Sequence, residues 1–312
     1  MDSRRFFWLD VFTDRPFGGN PLAVFPDGHG LDADCMQTIA RELNLSETVF
    51  VLPPSSPRAV RRARIFTPGR ELPFAGHPTI GTAFLLAHLG IVPVEAGHAE
   101  LVLEEGVGEV PVSLHADGGT WFVRLTAAVP PQFGPEPPDR ALLAAVLGIP
   151  EAEIVPGADR PVIAGCGLPF TFVRVRDADT LAAMHFDRYL WSKHVASSPA
   201  PELFVFALLR DAPDGEVRAR MFAPGVGVIE DPATGSAGVA LAAVLASRFG
   251  GADGTLRWTV QQGVEMGRPS RLTIEADLHA GRVVATRVGG HAVVVADGNL
   301  RIPQAVTSPG RS

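Results

Sequence analysis

Two short segments, Gly76-His77-Pro78 and Asp231-Pro232-Ala233-Thr234-Gly235-Ser236, each join a titratable side chain to glycine and proline just before an apolar run. A helix opening at such a point presents unpaired N–H groups and the positive end of its dipole, a combination suited to a small carboxylate. His77 or Asp231 would then stand beside the anion, able to orient it or to move a proton. The same residues also fit ordinary helix starts, with Asp231 or Ser236 serving as caps. Repetition favours chemistry over capping. Residues 62–69 read Arg-Ala-Arg-Ile-Phe-Thr-Pro-Gly and residues 218–225 read Arg-Ala-Arg-Met-Phe-Ala-Pro-Gly, identical at six of eight positions. With the following loop taken as two residues shorter in the second copy, Pro78–Ala83 faces Pro232–Ala237, and His77 falls opposite Asp231. Two such units half a chain apart point to duplicated halves with a cleft between them.

Glu47 is the third titratable candidate. It opens an alternating segment, Glu47–Leu52, in which Glu47, Val49 and Val51 share one strand face. A carboxylate against an apolar wall has a raised pKa and becomes a usable acid or base near neutral pH, whereas an edge glutamate in water does not. Other chemistries have less support. The histidines are scattered without ligand spacing, so no metal site is expected. No G-x-S-x-G elbow and no dinucleotide G-x-G-x-x-G occur in the required context. Lys193, the only lysine, lies outside any glycine-rich or phosphate-binding setting and reads as a surface residue rather than a Schiff-base group. Cys166, between two glycines, is a nucleophile or a buried inert thiol, the second being the commoner case.

The elements that must position these residues are mostly short strands. Phe6–Phe12, Leu22–Phe25, Glu47–Leu52, Ala63–Thr67, Leu101–Leu103, Glu109–Leu114 and Trp121–Leu125 read as strands of a first half. Asp32 is placed to cap a helix carrying Met36, Ile39, Ala40 and Leu43, stopped by Asn44, and a second helix runs from Thr79 to about Leu89. Five prolines between Ala127 and Asp139 mark a linker. Beyond it come helices near Arg140–Leu147, Leu181–Met184 and Gly235–Phe249, and strands near 162–164, 171–175, 203–209, 217–222, 257–261, 271–276, 282–288, 292–296 and 300–302. Strands outnumber helices and hairpin-length connections dominate. The expected class is α+β, two halves that are each a curled, mostly antiparallel sheet around a central helix.

With 312 residues, 46% hydrophobic and 20% charged, the chain can form two cores of about 150 residues each. A net charge of −7 without basic runs argues against a nucleic-acid partner. No apolar run is long enough to span a bilayer, and residues 1–5 do not begin a signal peptide. Cys35 and Cys166 give no disulfide framework, so a reducing, cytoplasmic setting is expected.

Several motifs in order resemble the PhzF phenazine-biosynthesis family, which includes trans-2,3-dihydro-3-hydroxyanthranilate isomerase. They are Gly18-Gly19-Asn20-Pro21, the segments 44–50, 66–68, 71–79 and 230–237, and Gln262–Ser270, and the resemblance runs from the first strand to Val288-Gly289-Gly290. It implies the diaminopimelate-epimerase fold, in agreement with the internal repeat. By matching positions it implies that Glu47 takes a proton from one carbon and returns it to another, that His77 and Asp231 orient the substrate, and that Gly76, Gly235 and Ser236 bind its carboxylate. The implied protein is a cofactor-independent isomerase of a small carboxylic acid, cyclic or acyclic, and a homodimer. Residues 1–128, joined by the closing segment 292–312, would form one half and residues 129–291 the other. Related racemases on this fold place one thiol in each loop, near Ala75 and Ala233 here, and neither cysteine falls there. A carboxylate-based epimerase or racemase, and a non-catalytic binder of small carboxylates, are the alternatives.

Overall fold

The computed structural model describes residues 2–249 and 253–302. Alternating apolar residues build, in order, β1 (Asp2–Val11), β2 (Asn20–Phe25), α1 (Ala33–Leu43), β3 (Glu47–Leu52), β4 (Arg61–Phe66), β5 (Glu71–Leu72), α2 (Gly76–His88), β6 (His98–Glu105), β7 (Gly108–Asp117) and β8 (Thr120–Thr126). The chain continues through β9 (Gln132–Phe133), α3 (Arg140–Leu147), β10 (Val162–Gly165), β11 (Pro169–Arg174), α4 (Ala178–Ala183), α5 (Arg188–His194), β12 (Leu203–Arg210), β13 (Glu216–Ala223) and β14 (Val228–Asp231). It ends in α6 (Gly235–Ala246), β15 (Gly254–Gln262), β16 (Ser270–His279), β17 (Arg282–Gly290) and β18 (Ala292–Ile302).

The strand pairing maps onto itself. β2 pairs parallel with β3, β3 antiparallel with β4, and β4 parallel with β6, which continues antiparallel through β7 to β8. β11 pairs parallel with β12, β12 antiparallel with β13, and β13 parallel with β15, which continues antiparallel through β16 to β17. The two series join where β8 meets β17, through pairs such as Leu125–Val288. Each outer edge is completed by a strand that crosses over: β18 lies on β1, and β9 on β10. The architecture is α+β, with two pseudo-symmetric halves.

The central helices α2 and α6 have no polar face, and nearly every residue of each is buried. Such a helix belongs inside a core, and each curved sheet closes around one of them. The amphipathic α1 packs outside, with Met36 and Ile39 against Phe25, Phe50 and Phe66. On the other half α3, α4 and α5 cover Val173, Val205 and Phe222.

The expected elements are present with shifted ends. α2 begins three residues earlier than Thr79, α6 stops at Ala246 rather than Phe249, and the last two expected strands form one, β18. The proline-rich linker contains β9, and α5 was not foreseen; Lys193 lies on it, exposed. Positions 303–312 of the expected closing segment lie outside the described residues. Among the described residues, no helix is long and apolar enough to cross a membrane.

Candidate active site

The two central helices meet end to end. A Cβ added to Gly76 would stand 2.9 Å from the Gly235 Cα and 3.0 Å from the Ser236 nitrogen, and one added to Gly235 would stand 3.2 Å from the Gly76 Cα. Reciprocal contact of this kind is what an approximate twofold axis produces, so the axis passes between these glycines. α1, α3, α4 and α5 are each capped by an aspartate, namely Asp32, Asp139, Asp177 and Asp187. α2 and α6, behind Ala75 and Thr234, have no side-chain cap. Neither Asp231 nor Ser236 caps α6.

This geometry corrects the pairing of His77 with Asp231 inferred from sequence. Gly76 follows Phe66 by ten residues and Gly235 follows Phe222 by thirteen, so the second loop is three longer, not two shorter. Leu72 pairs with Ile65, and Asp231 pairs with Met221, the repeat equivalent of Ile65. Asp231 therefore corresponds to Leu72, and His77 to Ser236. The prolines at 78 and 232 misled because they occupy different positions relative to the helix starts.

A cavity of about 490 Å³ opens between the halves. Ser46, Glu47, Thr67, Arg70 and Ala75 line it from one side and Cys166, Glu202, Asp231, Thr234 and Ser236 from the other, among mostly apolar neighbours. Glu47 enters it from the first position of β3. Burial, helped by the charge of Asp231, pushes its carboxyl up to about 8. His77 is buried behind it, with Nε2 3.2 Å from Glu47 Oε2, an approach whose angles do not make a hydrogen bond. Burial drives the His77 ring down to about 3, against a hydrogen bond to the Pro21 backbone that works the other way, so the ring is neutral.

Asp231, at the end of β14, is held from both halves. Asn20 Nδ2 donates to Asp231 Oδ1 at 2.8 Å and to the Ala233 carbonyl at 2.9 Å. Thr234 Oγ1 donates to Asp231 Oδ2 at 2.5 Å. Gln262 Nε2 donates to the Asp231 carbonyl at 2.7 Å and to Thr234 Oγ1 at 3.0 Å. Burial still outweighs these donors and lifts the Asp231 carboxyl to about 6. The turn before Asn20 is itself tied across the halves: Arg268 donates to Asp10 and to the Gly18 and Gly19 carbonyls. The Ser236 hydroxyl, one residue into α6, makes no hydrogen bond among the described residues.

Three of the six residues singled out from the sequence, Glu47, Asp231 and Ser236, line the cavity. His77, Gly76 and Gly235 lie directly behind that lining. Asn20, Thr234 and Gln262 were not singled out, although all three lie in motifs that carry the family resemblance. Glu105 was also missed. At the end of β6, it is buried against α2's first turn, 2.6 Å from Thr79 Oγ1, and burial pushes it up to about 8. Its strand parity with Leu101 and Leu103 was the available signal.

A family model described as phenazine biosynthesis-like protein matches residues 9–298. The chain belongs to this family. It is 40% identical over 308 residues to a protein of Mesorhizobium japonicum named an uncharacterized isomerase, covering 97% of this chain and all of that one. It is 37% identical over 296 residues to trans-2,3-dihydro-3-hydroxyanthranilate isomerase of Pseudomonas aeruginosa, covering 94% of this chain and 98% of the relative. The crystal structure of a PhzF-family phenazine biosynthesis protein from Bacillus anthracis superposes with a TM-score of 0.86 at 27% identity, covering 97% of this chain and all of that one. Both relatives are named isomerases and match nearly the whole chain, and this chain is an isomerase of the same family.

Proposed function

We propose that this isomerase moves a proton between carbons of a small carboxylic acid, with Glu47 as the acid and base. The observation that carries this reading is the Glu47 carboxyl: it lines a mostly apolar cleft and is poised near neutral pH by burial and by Asp231. The substrate carboxylate sits against the uncapped starts of α2 and α6 with the Ser236 hydroxyl, where fixed N–H dipoles stabilise charge that builds up as a neighbouring C–H is broken. Ionised Glu47 takes that proton and becomes the carboxylic acid. Its acid proton exchanges with water in the open cleft, and Glu47 then gives a proton to a second carbon, so composition is unchanged and no redox partner is needed. Neutral His77, packed behind Glu47, fixes the carboxyl in place, while Asp231 keeps its proton affinity high.

The uncapped helix starts support carboxylate binding, and the relative from Pseudomonas aeruginosa supports a cyclic acid as the first candidate substrate. A homodimer, expected from the family resemblance, is part of the proposal and is tested by sedimentation equilibrium. A cytoplasmic location agrees with the free thiols of Cys35 and Cys166.

The test is solvent deuterium incorporation into trans-2,3-dihydro-3-hydroxyanthranilate and a panel of small cyclic and acyclic carboxylic acids. Wild type should place deuterium at a carbon of at least one acid while isomerising it. Glu47→Gln should lose about 10²–10⁴-fold in that rate while still binding the acid. Full exchange in Glu47→Gln would remove Glu47 from the mechanism. Exchange at a single carbon with inversion of its configuration would make the chain an epimerase.

A further inference from the structure

The repeat assigns a partner to Glu47 that no motif marks. On β3 and β4, Thr48 pairs with Phe66 and Val49 with Ile65. On β12 and β13, Leu203 pairs with Phe222 and Phe204 with Met221. Phe66 and Phe222 occupy the same place in the eight-residue repeat, so Thr48 corresponds to Leu203 and Glu47 to Glu202. Both glutamates line the same cavity, from opposite halves.

Glu202 is only 9% exposed, and no arginine, lysine or histidine pairs with it among the described residues. Its carboxyl accepts the Gly225 N–H, while Oε2 is buried without a hydrogen-bond partner. The surrounding chain is built to hold it there. Thr171 N donates to the Glu202 carbonyl at 2.9 Å, Thr171 Oγ1 to the Ala200 carbonyl at 2.6 Å, and Trp191 Nε1 to the Pro201 carbonyl at 2.7 Å. A Cβ at position 225 would lie 2.3 Å from Glu202 Oε1, so any larger residue there would push this carboxyl aside. These bonds fix the backbone that carries Glu202, and a buried carboxyl with an unused acceptor costs stability unless a donor reaches it. The cavity wall beside it is formed by Met221, Ala223 and Val226, which offer no side-chain donor.

We propose that Glu202 receives an ammonium group of the substrate, making it the residue that selects amino-bearing acids, trans-2,3-dihydro-3-hydroxyanthranilate among them, over plain ones. A carboxylate accepts hydrogen bonds, and an ammonium supplies both donors and the opposite charge. The substrate would lie across the cleft, its carboxylate at Ser236 and its amine on the wall that carries Glu202. Burial pushes the empty carboxyl up to about 7, and a bound cation would return it to the ionised form. This assignment rests on the cleft being the substrate site, as proposed above, but not on Glu47 being the base.

The test is a molecular ruler read by calorimetry. Straight-chain amino acids with the amine at the end, from glycine to 6-aminohexanoate, are titrated beside the plain acids of equal length. In wild type the amine should improve affinity by about tenfold or more at one length or two adjacent ones. Glu202→Gln, nearly isosteric and checked for folding by thermal melting, should abolish that preference. Gly225→Ala, which presses on the same carboxyl, should weaken it. Glu47→Gln should keep it, so loss of deuterium exchange and loss of amine preference report on different residues. Equal affinity for amino and plain acids at every length, no binding by any amino acid, or a preference that survives Glu202→Gln overturns the assignment.

Discussion

Gly76 and Gly235 begin the two central helices and press against one another across the pseudo-twofold axis, each within 3.2 Å of where the other would need room for a Cβ. Three backbone atoms of the opposite helix start crowd a Cβ on Gly76, at 2.9, 3.0 and 3.0 Å. A Cβ on Gly235 meets slightly more distant atoms, one of them the Phe12 ring at 3.3 Å. Overpacking of this kind costs about 1–3 kcal/mol. Gly76→Ala is expected at the upper end of that range and Gly235→Ala at the lower, by urea denaturation. Both should weaken binding of small carboxylates, because separating the helix starts disperses the N–H groups aimed at the anion. Equal stability of wild type and Gly76→Ala would mean that the helices are free to part.

Much of this was legible in the sequence, and the failures have physical causes. Strand alternation and the Arg-Ala-Arg repeat located β4 and β13, and the apolar runs located α2 and α6. Loop length was misjudged because one short sequence match, Pro-x-x-Gly in one copy and Pro-Ala-Thr-Gly in the other, outweighed the position of the helix start, which depends on packing at Gly76 and Gly235. Asn20 and Gln262 lay in recognisable motifs, but their task exists only once strands distant in sequence have met: Asn20 and Asp231 are 211 positions apart. Glu202 had no motif at all. Its position follows from ladder register, which the sequence does not print.

Glu105 supplies a stability prediction. The Thr79 hydroxyl lies 2.7 Å from the Ala75 carbonyl and 2.6 Å from Glu105 Oε1, yet it has one hydrogen to give. Protonated Glu105 resolves this by donating to Thr79, in keeping with a carboxyl pushed up to about 8 by burial. A group that holds its proton more tightly folded than unfolded adds stability below its unfolded value, near 4.5, and loses it as pH rises through 8. Glu105→Gln has no such proton to lose. By register Glu105 matches Gln262, so the variant installs what the other half already carries. Its melting temperature should rise relative to wild type between pH 5 and pH 9. Parallel curves across that range would show Glu105 to be uncharged, or charged, throughout.

Asn20 is fully buried and links the halves through Asp231 and Ala233. Asn20→Ala leaves an acceptor of Asp231 without its donor, at a cost of about 1–3 kcal/mol. One of the two bonds that hold the Asp231 carboxyl down is also lost, so its pKa should climb further. A double-mutant cycle with Asp231→Asn, read by urea denaturation, should give a coupling of comparable size; additive losses would deny the pair any direct interaction.

The pH dependence of turnover distinguishes Glu47 from its neighbours. Only ionised Glu47 can accept a proton, so kcat/KM should rise with pH through the region of 8, far above an ordinary glutamate. His77, neutral down to about 3, contributes no step in that range. Asp231 titrates near 6, and its charge is the second cause that raises Glu47, so two apparent steps belong to the pair rather than to either residue. Asp231→Asn removes that like charge. The upper limb should therefore move to lower pH, while staying above 4.5 because burial, the larger cause, is untouched. Rates of deuterium exchange from pH 5 to pH 10 measure both limbs. A limb that moves to higher pH in Asp231→Asn, or does not move, belongs to some group other than Glu47.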